Sequence, residues 1–195
     1  MRIRNAIPLT GFGAKLITGA PQCRWLPTSS PSTLGNPSFN EIIEGHRLRC
    51  LACGHRCPIS AGFAGVCKVR FNRDGKLYAP YGYLNSLRCD PIEKKPFYHV
   101  RPSGLALSFG MLGCDLHCAY CQNWITSQAL RDARSTTNFT QIRLDQIVAA
   151  ALSEGADAGI STYNEPLITA EWAVEIFREA RRVGVEELTG TPGGR

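Results

Sequence analysis

The chain has 195 residues, a formal net charge of +6, nine cysteines and 44% hydrophobic residues. That length suits one medium domain, or a small domain joined to part of a larger one, and no stretch is long and apolar enough to span a bilayer. Residues 1–40 hold four basic residues and no acid. The remainder is therefore near neutral, without the basic stripe that marks a nucleic-acid binder.

Residues 1–40 read as a low-complexity leader. The run Pro27-Thr28-Ser29-Ser30-Pro31-Ser32-Thr33 is too rich in turn formers for a regular element. Arg and Ser without acids is also the composition of an organellar transit peptide. The expectation is a disordered tail on a cytoplasmic protein, with the organellar matrix as the alternative destination.

Residues 41–100 form a cysteine-rich module and a connector. Cys50, Cys53, Cys57 and Cys67 are spaced C-x2-C-x3-C-x9-C, with His55 inside. Four soft ligands on short loops are the arrangement of a closed structural metal site, and zinc and an iron–sulfur cluster are both compatible. A module with so little apolar content needs such a staple. A pair of disulfides is the competing explanation, and the lack of a clear export signal weighs against it. Val69-Arg70-Phe71 and Leu77-Tyr78-Ala79 flank Asp74-Gly75, which predicts a hairpin. Cys89 to Pro102 carries three prolines and reads as an extended connection, with Lys94 and Lys95 on a solvated turn. Cys23 and Cys89 stand apart from both cysteine groups and read as ordinary thiols.

Residues 101–195 alternate between strand and helix patterns. Leu105–Leu112 reads as a buried parallel strand. Leu144, Ile147, Val148, Ala151 and Leu152 define an amphipathic helix ended by Gly155. Ala158–Tyr163 is a second short strand. Pro166 then opens a helix that buries Ile168, Trp172, Ile176, Phe177, Ala180 and Val183, with Gly184 at its end. Strand, helix, strand, helix means parallel βα units, whose reactive residues gather at the carboxyl ends of the strands. After Gly184 the sequence has no evident strand pattern, and two parallel strands would leave an open edge and an uncovered face.

The carboxyl end of the first strand is followed by Gly113-Cys114-Asp115-Leu116-His117-Cys118-Ala119-Tyr120-Cys121-Gln122-Asn123-Trp124. Cys114, Cys118 and Cys121 also fall at i, i+4 and i+7, one face of a helix, but Gly110, Gly113 and Asp115 disfavour a helix there. Three thiolates on one loop can hold three irons of a 4Fe–4S cube and leave the fourth iron open to a substrate or cofactor. This C-x3-C-x2-C loop resembles that of the radical S-adenosylmethionine (SAM) superfamily. With Asp90-Pro91-Ile92-Glu93-Lys94-Lys95-Pro96 before it and Tyr163-Asn164-Glu165-Pro166 after it, the chain is most similar to the radical SAM enzymes of the AmmeMemoRadiSam system, relatives of the pyruvate formate-lyase activating enzymes.

The resemblance implies an α/β fold, the N-terminal part of a radical SAM βα barrel, truncated at its C-terminus. It implies a 4Fe–4S cluster on Cys114, Cys118 and Cys121, and reductive cleavage of SAM to a 5′-deoxyadenosyl radical that attacks an unidentified substrate. Tyr120 matches an aromatic position near the adenine. Asn164 and Glu165 occupy the place of a motif that contacts the SAM amino group, where a carboxylate pairs with an ammonium; Asn164 is also a candidate helix cap. His117 reads as a loop residue rather than a ligand. Implied partners are an electron donor such as flavodoxin or ferredoxin, a substrate that can be a protein, and Memo-like and AMMECR-like proteins, with no nucleic acid and no membrane. Two other readings are a non-catalytic zinc or iron–sulfur protein and an activating enzyme for a glycyl-radical protein.

Overall fold

The computed structural model describes residues 31–189 of the chain. The leader up to residue 30, with Cys23, and the tail from 190 lie outside the described residues. In chain order the strands are β1 (Ser32–Leu34), β2 (Asn40–Glu44), β3 (Arg47–Cys50), β4 (Pro58–Ile59), β5 (Phe71–Arg73), β6 (Lys76–Pro80), β7 (Tyr83–Leu84), β8 (Ser86–Pro91), β9 (Leu105–Gly110), β10 (Thr140–Gln141), β11 (Ala158–Ser161) and β12 (Glu186–Thr189). The helices are α1 (Trp124–Ser127), α2 (Leu144–Ser153) and α3 (Ala170–Arg182).

A four-stranded sheet in the order β12-β11-β9-β8 organises the second half. β9, β11 and β12 are parallel, and β8 runs antiparallel on the far side of β9. Alternation along β9 decides what each face meets. Leu107 and Phe109 join Ile147, Ala150, Ala151, Trp172, Ile176 and Phe177 of α2 and α3 in the main core. Ala106 faces the other way, where Ile92, Ala158 and Ile160 form a smaller cluster with Phe97 and Val100 packed on it. Among the described residues the sheet is open, and α2 and α3 pack on one face of it.

The module is built from small antiparallel sheets, β2-β3-β4 and β1-β6-β5, and a short ribbon pairs β7 with β10. The Asp74-Gly75 turn closes the β5–β6 hairpin with φ of 52° and 80°, the two positive values of a type I′ turn. Fully buried Asn72 ties the hairpin to its neighbours. Its Nδ2 donates to the carbonyls of His46 (2.7 Å) and Ile59 (2.8 Å), and its Oδ1 accepts from Gly75 N–H (2.8 Å).

Five sequence expectations are corrected. The leader ends before residue 40: Ser32–Leu34 is a strand because its backbone pairs with Tyr78–Pro80, a partner that composition does not reveal. Cys89–Pro91 is no loose connector but the end of β8, in register with Leu105–Leu107 of β9, and Pro91 sits at a strand end where its missing N–H costs nothing. A third parallel strand, β12, follows Gly184 and pairs with β11 from Ala158↔Glu186 to Ser161↔Thr189. Its two glutamates hid the strand pattern. Pro166–Thr169 forms a 3-10 turn that leads into α3 at Ala170. Leu152 and Val183, expected in the core, are 53% and 42% exposed; Leu152 lies in the last turn of α2 and Val183 just beyond α3.

Candidate metal and cofactor site

The cysteine loop leaves β9 through Met111 and Leu112, both buried. Gly113 takes φ of 86°, and a Cβ there would stand 2.7 Å from Val69 Cγ1 and 2.9 Å from the Cys67 carbonyl. Only glycine permits both the backbone and the close approach to the module. Cys114 is buried, and Cys118 and Cys121 are half-buried. The Cys114 sulfur accepts backbone N–H groups from Leu116 and from Glu165. Burial is the larger influence and pushes its thiol up from the ordinary value. Cys121 N–H donates to the Cys118 carbonyl at 3.2 Å, and Cys121 Sγ lies 3.5 Å from Ser127 Oγ.

Two residues that the sequence did not single out hold this loop. Gln128 Nε2 donates to the Leu116 carbonyl at 3.1 Å. Arg131 donates from Nη2 to the carbonyls of Cys114 (2.9 Å) and Val66 (2.6 Å), and from Nη1 to Gln128 Oε1 (2.6 Å). Arg131 thus clamps the loop to the module. Asp115 also has more to do than the sequence suggested. Its carboxylate is 1% exposed, and His55 Nε2 lies 3.6 Å from Oδ2. Cys53 of the first cysteine group also approaches it, yet Oδ2 has no hydrogen-bond partner at ordinary distance. No local sequence signal links residue 53 to residue 115; only the fold brings them together.

The second motif arrives beside the first. Glu165 N–H meets Cys114 sulfur, so the loops after β9 and β11 touch at the carboxyl ends of adjacent parallel strands. Tyr163 has φ of 72°, and a Cβ on Gly110 would stand 2.7 Å from the Thr162 carbonyl. Asn164 is 3% exposed and Glu165 7%. Both polar side-chain atoms of Asn164 lack a hydrogen-bond partner, a costly arrangement for a buried amide. Asn164 is not a helix cap; Glu165 holds the cap position before Pro166, without a side-chain cap bond. Tyr120 is 78% exposed and packs under nothing. His117 is exposed and stacks edge-on against Trp124, 4.6 Å between centroids.

The Asp90–Pro96 segment also reaches the site. Lys94 Nζ pairs with Asp90 Oδ1 at 2.8 Å. Lys95 is not on a solvated turn: its Nζ sits 4.7 Å from the Tyr163 ring centroid and 3.5 Å from the Tyr163 hydroxyl. Burial lowers the Lys95 pKa and pushes Tyr163 up to about 12. Tyr81, hydrogen-bonded to Glu175, is also pushed up to about 12 by that bond. A tyrosine raised in the folded state holds its proton where the unfolded chain, near pH ~10, has begun to lose it. The folded state therefore binds more protons, and stability falls as pH rises through that range toward about 12. Denaturation midpoints should drop steeply across this window, and a Tyr81→Phe/Tyr163→Phe variant should flatten the drop. A midpoint that does not move between the two limits would contradict these shifts.

Among the described residues no three His, Cys, Asp or Glu side chains stand close enough together to hold an ion ready-made. The donor set nevertheless suits an iron–sulfur cluster. Three thiols share one short loop, one sulfur already accepts two N–H groups, and the unpartnered Asn164 amide lies in the adjoining loop. Hydrogen bonds of this kind favour a thiolate over a thiol.

The fold and loops together define an open α/β sheet with a cysteine loop and a buried polar loop at the carboxyl ends of its parallel strands. Among curated proteins the chain is similar to one from Methanocaldococcus jannaschii described as uncharacterized. The two are 34% identical over 156 residues, which is 80% of this chain and 46% of the relative. The chain therefore spans about half the length of the relative it matches. No family model matches the sequence, and no solved structure matches it. No helix among the described residues is long and apolar enough to cross a membrane.

Proposed function

We propose that the chain is the N-terminal part of a radical SAM enzyme, a partial βα barrel preceded by a cysteine-rich module. Cys114, Cys118 and Cys121 hold a 4Fe–4S cluster in this reading. The observation that carries it is the contact between Cys114 sulfur and the Glu165 N–H, which joins the thiol loop to the polar loop of the next strand. When bound, the cluster supplies one electron to the SAM sulfonium, whose C–S cleavage gives a 5′-deoxyadenosyl radical. The chain's own residues bind and orient. Glu165 offers a carboxylate, and Asn164 a donor and an acceptor, to the amino-acid end of SAM. Tyr120 offers an exposed ring to adenine. Gln128 and Arg131 fix the loop backbone. The substrate belongs to the whole protein, of which a related chain has about twice the matched length. The electron donor would be a flavodoxin or ferredoxin, Memo-like and AMMECR-like proteins are the candidate associates, and an oxygen-sensitive cluster suits the cytoplasm.

One observation favours a rival. Cys53 and His55 lie against Asp115 of the cysteine loop, so the module can offer a fourth donor and close the cluster into a non-catalytic, electron-transfer site. The experiment separates the two. The anaerobically reconstituted chain, reduced and incubated with SAM, should release 5′-deoxyadenosine. A Cys114/Cys118/Cys121→Ala variant should lose both the cluster's EPR signal and that product. A cluster present without product favours the closed site; iron and an EPR signal unchanged in the triple variant would sink the three-cysteine assignment.

A further inference from the structure

We infer that the face of the four-stranded sheet turned away from α2 and α3 carries an oxyanion site, built on Arg88, Lys95, Ser108 and Tyr163, that takes a phosphate or carboxylate group of the substrate. Alternation along β8 and β9 brings these residues together. Leu87 and Cys89 of β8 and Leu107 and Phe109 of β9 join the main core. Arg88, Asp90 and Ser108 therefore belong to the opposite face, where Arg88 stands directly across from Ser108 and Asp90 from Ala106. The Tyr163 ring lies over Gly110, the next residue of β9 on this face: a Cβ there would stand 2.8 Å from Tyr163 Cδ2. Tyr163 keeps that place with φ of 72°, a strained backbone for a side chain of its size. The turn after β8, closed by Lys95 N–H on the Ile92 carbonyl at 3.0 Å, then returns the Lys95 ammonium onto the ring, 4.7 Å from its centroid.

The charges here do not balance. Asp90 is committed to Lys94 at 2.8 Å, and Glu93 accepts the Ser103 N–H at 2.6 Å. Among the described residues neither Arg88 nor Lys95 has an ion-pair partner. The Arg88 charge is close enough to act on both Lys95 and Tyr163, so two cations share one polar corner. Lys95 is half-buried, and burial works against its charge with no paired anion to offset it. Two hydroxyls complete the donor set. Lys95 Nζ donates to the Tyr163 oxygen at 3.5 Å, which leaves the phenol O–H to donate elsewhere. Ser108 is 0% exposed. Its Oγ approaches the Tyr163 hydroxyl but has no partner at hydrogen-bond distance, a costly state for a buried hydroxyl. An oxyanion drawn in beside the ring offers a charged acceptor to the guanidinium, the ammonium and both hydroxyls. Asn164 and Glu165 follow Tyr163 directly, so the site adjoins the Cys114 loop. Giving the anion to the substrate rests on the radical SAM reading; the site itself rests on the sheet face alone.

The test dialyses the anaerobically reconstituted full chain, at low ionic strength, against radiolabelled inorganic phosphate and, separately, radiolabelled acetate. At least one should bind saturably, and the one that binds tighter names the group. Arg88→Gln and Lys95→Gln should each weaken that binding about tenfold, the loss of one charge-assisted hydrogen bond. Lys76→Gln, on the hairpin of the module, should leave it unchanged. Arg88 is exposed, so its variant is expected to fold, and circular dichroism checks both. No saturable binding of either anion, or binding that both variants keep, would overturn the proposal. Displacement of the bound anion by SAM would also overturn it, by assigning the site to the SAM carboxylate. Release of 5′-deoxyadenosine, measured on the same samples, keeps the two readings apart. A chain that binds the anion without cleaving SAM retains the oxyanion site while the radical SAM reading falls. A chain that cleaves SAM and binds neither anion loses the site alone.

Discussion

Replacing Arg70 with methionine should destabilise the folded chain by about 3–5 kcal/mol, the usual cost of removing one partner from a buried ion pair. Arg70 is 1% exposed. Its Nη1 and Nη2 donate to Glu171 Oε1 (2.8 Å) and Oε2 (2.5 Å), and Nη2 also donates to the Leu167 carbonyl at 3.2 Å. Glu171 Oε1 accepts the Asn36 N–H at 3.1 Å as well. One carboxylate at the start of α3 therefore holds the module through Arg70 and the β1 segment through Asn36. Methionine keeps much of the apolar stem but strands the Glu171 charge in a nearly closed site. Urea denaturation would read the loss as a lower midpoint. The paired variant Arg70→Met/Glu171→Leu should recover most of it, since no charge is then left without a partner. A single variant as stable as the native chain would show that the pair contributes nothing net. A double variant no better than the single would show that packing, rather than charge, sets the cost.

The same pair explains what the sequence could and could not reveal. The loop that carries Cys114, Cys118 and Cys121 is legible as a loop because an apolar strand precedes it and Gly113 and Asp115 break a helix there, and the Asp74-Gly75 hairpin is legible from its turn pair. α2 and α3 are legible because their apolar period is long enough to count. The partners that make a site of these pieces are distant in sequence. Glu171 meets Arg70, Cys53 and His55 meet Asp115, and Arg131 meets Val66. None of these contacts has a local pattern. Short strands suffer in the same way. β1 lies in a Ser/Pro/Thr-rich stretch and β12 begins with two glutamates, so both depend on a pairing partner rather than on propensity. The Lys95 position failed for a related reason: Lys is usually solvated, and only the fold shows the Tyr163 ring beneath it.

Asn164 and Glu165 provide the sharper functional prediction, because here stability and binding should move in opposite directions. An unpartnered buried amide costs about 1–3 kcal/mol, and Asn164 has neither side-chain polar atom paired. Asn164→Leu, close in volume, should therefore raise the denaturation midpoint. If the amide is kept for a ligand, the same change should weaken SAM binding to the reconstituted chain. Glu165→Gln tests the neighbouring carboxylate. A hydrogen bond to a charged group contributes about 1.5–3 kcal/mol, so losing it should weaken SAM binding by roughly ten- to a hundredfold. Iron content should be unchanged in both variants, since neither side chain is a proposed ligand. Equilibrium dialysis against labelled SAM and iron analysis of the same samples read both quantities. If Asn164→Leu stabilises the chain and SAM binding holds, the amide serves no ligand and the buried polar loop has another role. If both variants lose iron along with SAM, the loop acts by holding Cys114 in place through the Glu165 N–H, and the SAM contact must be sought elsewhere.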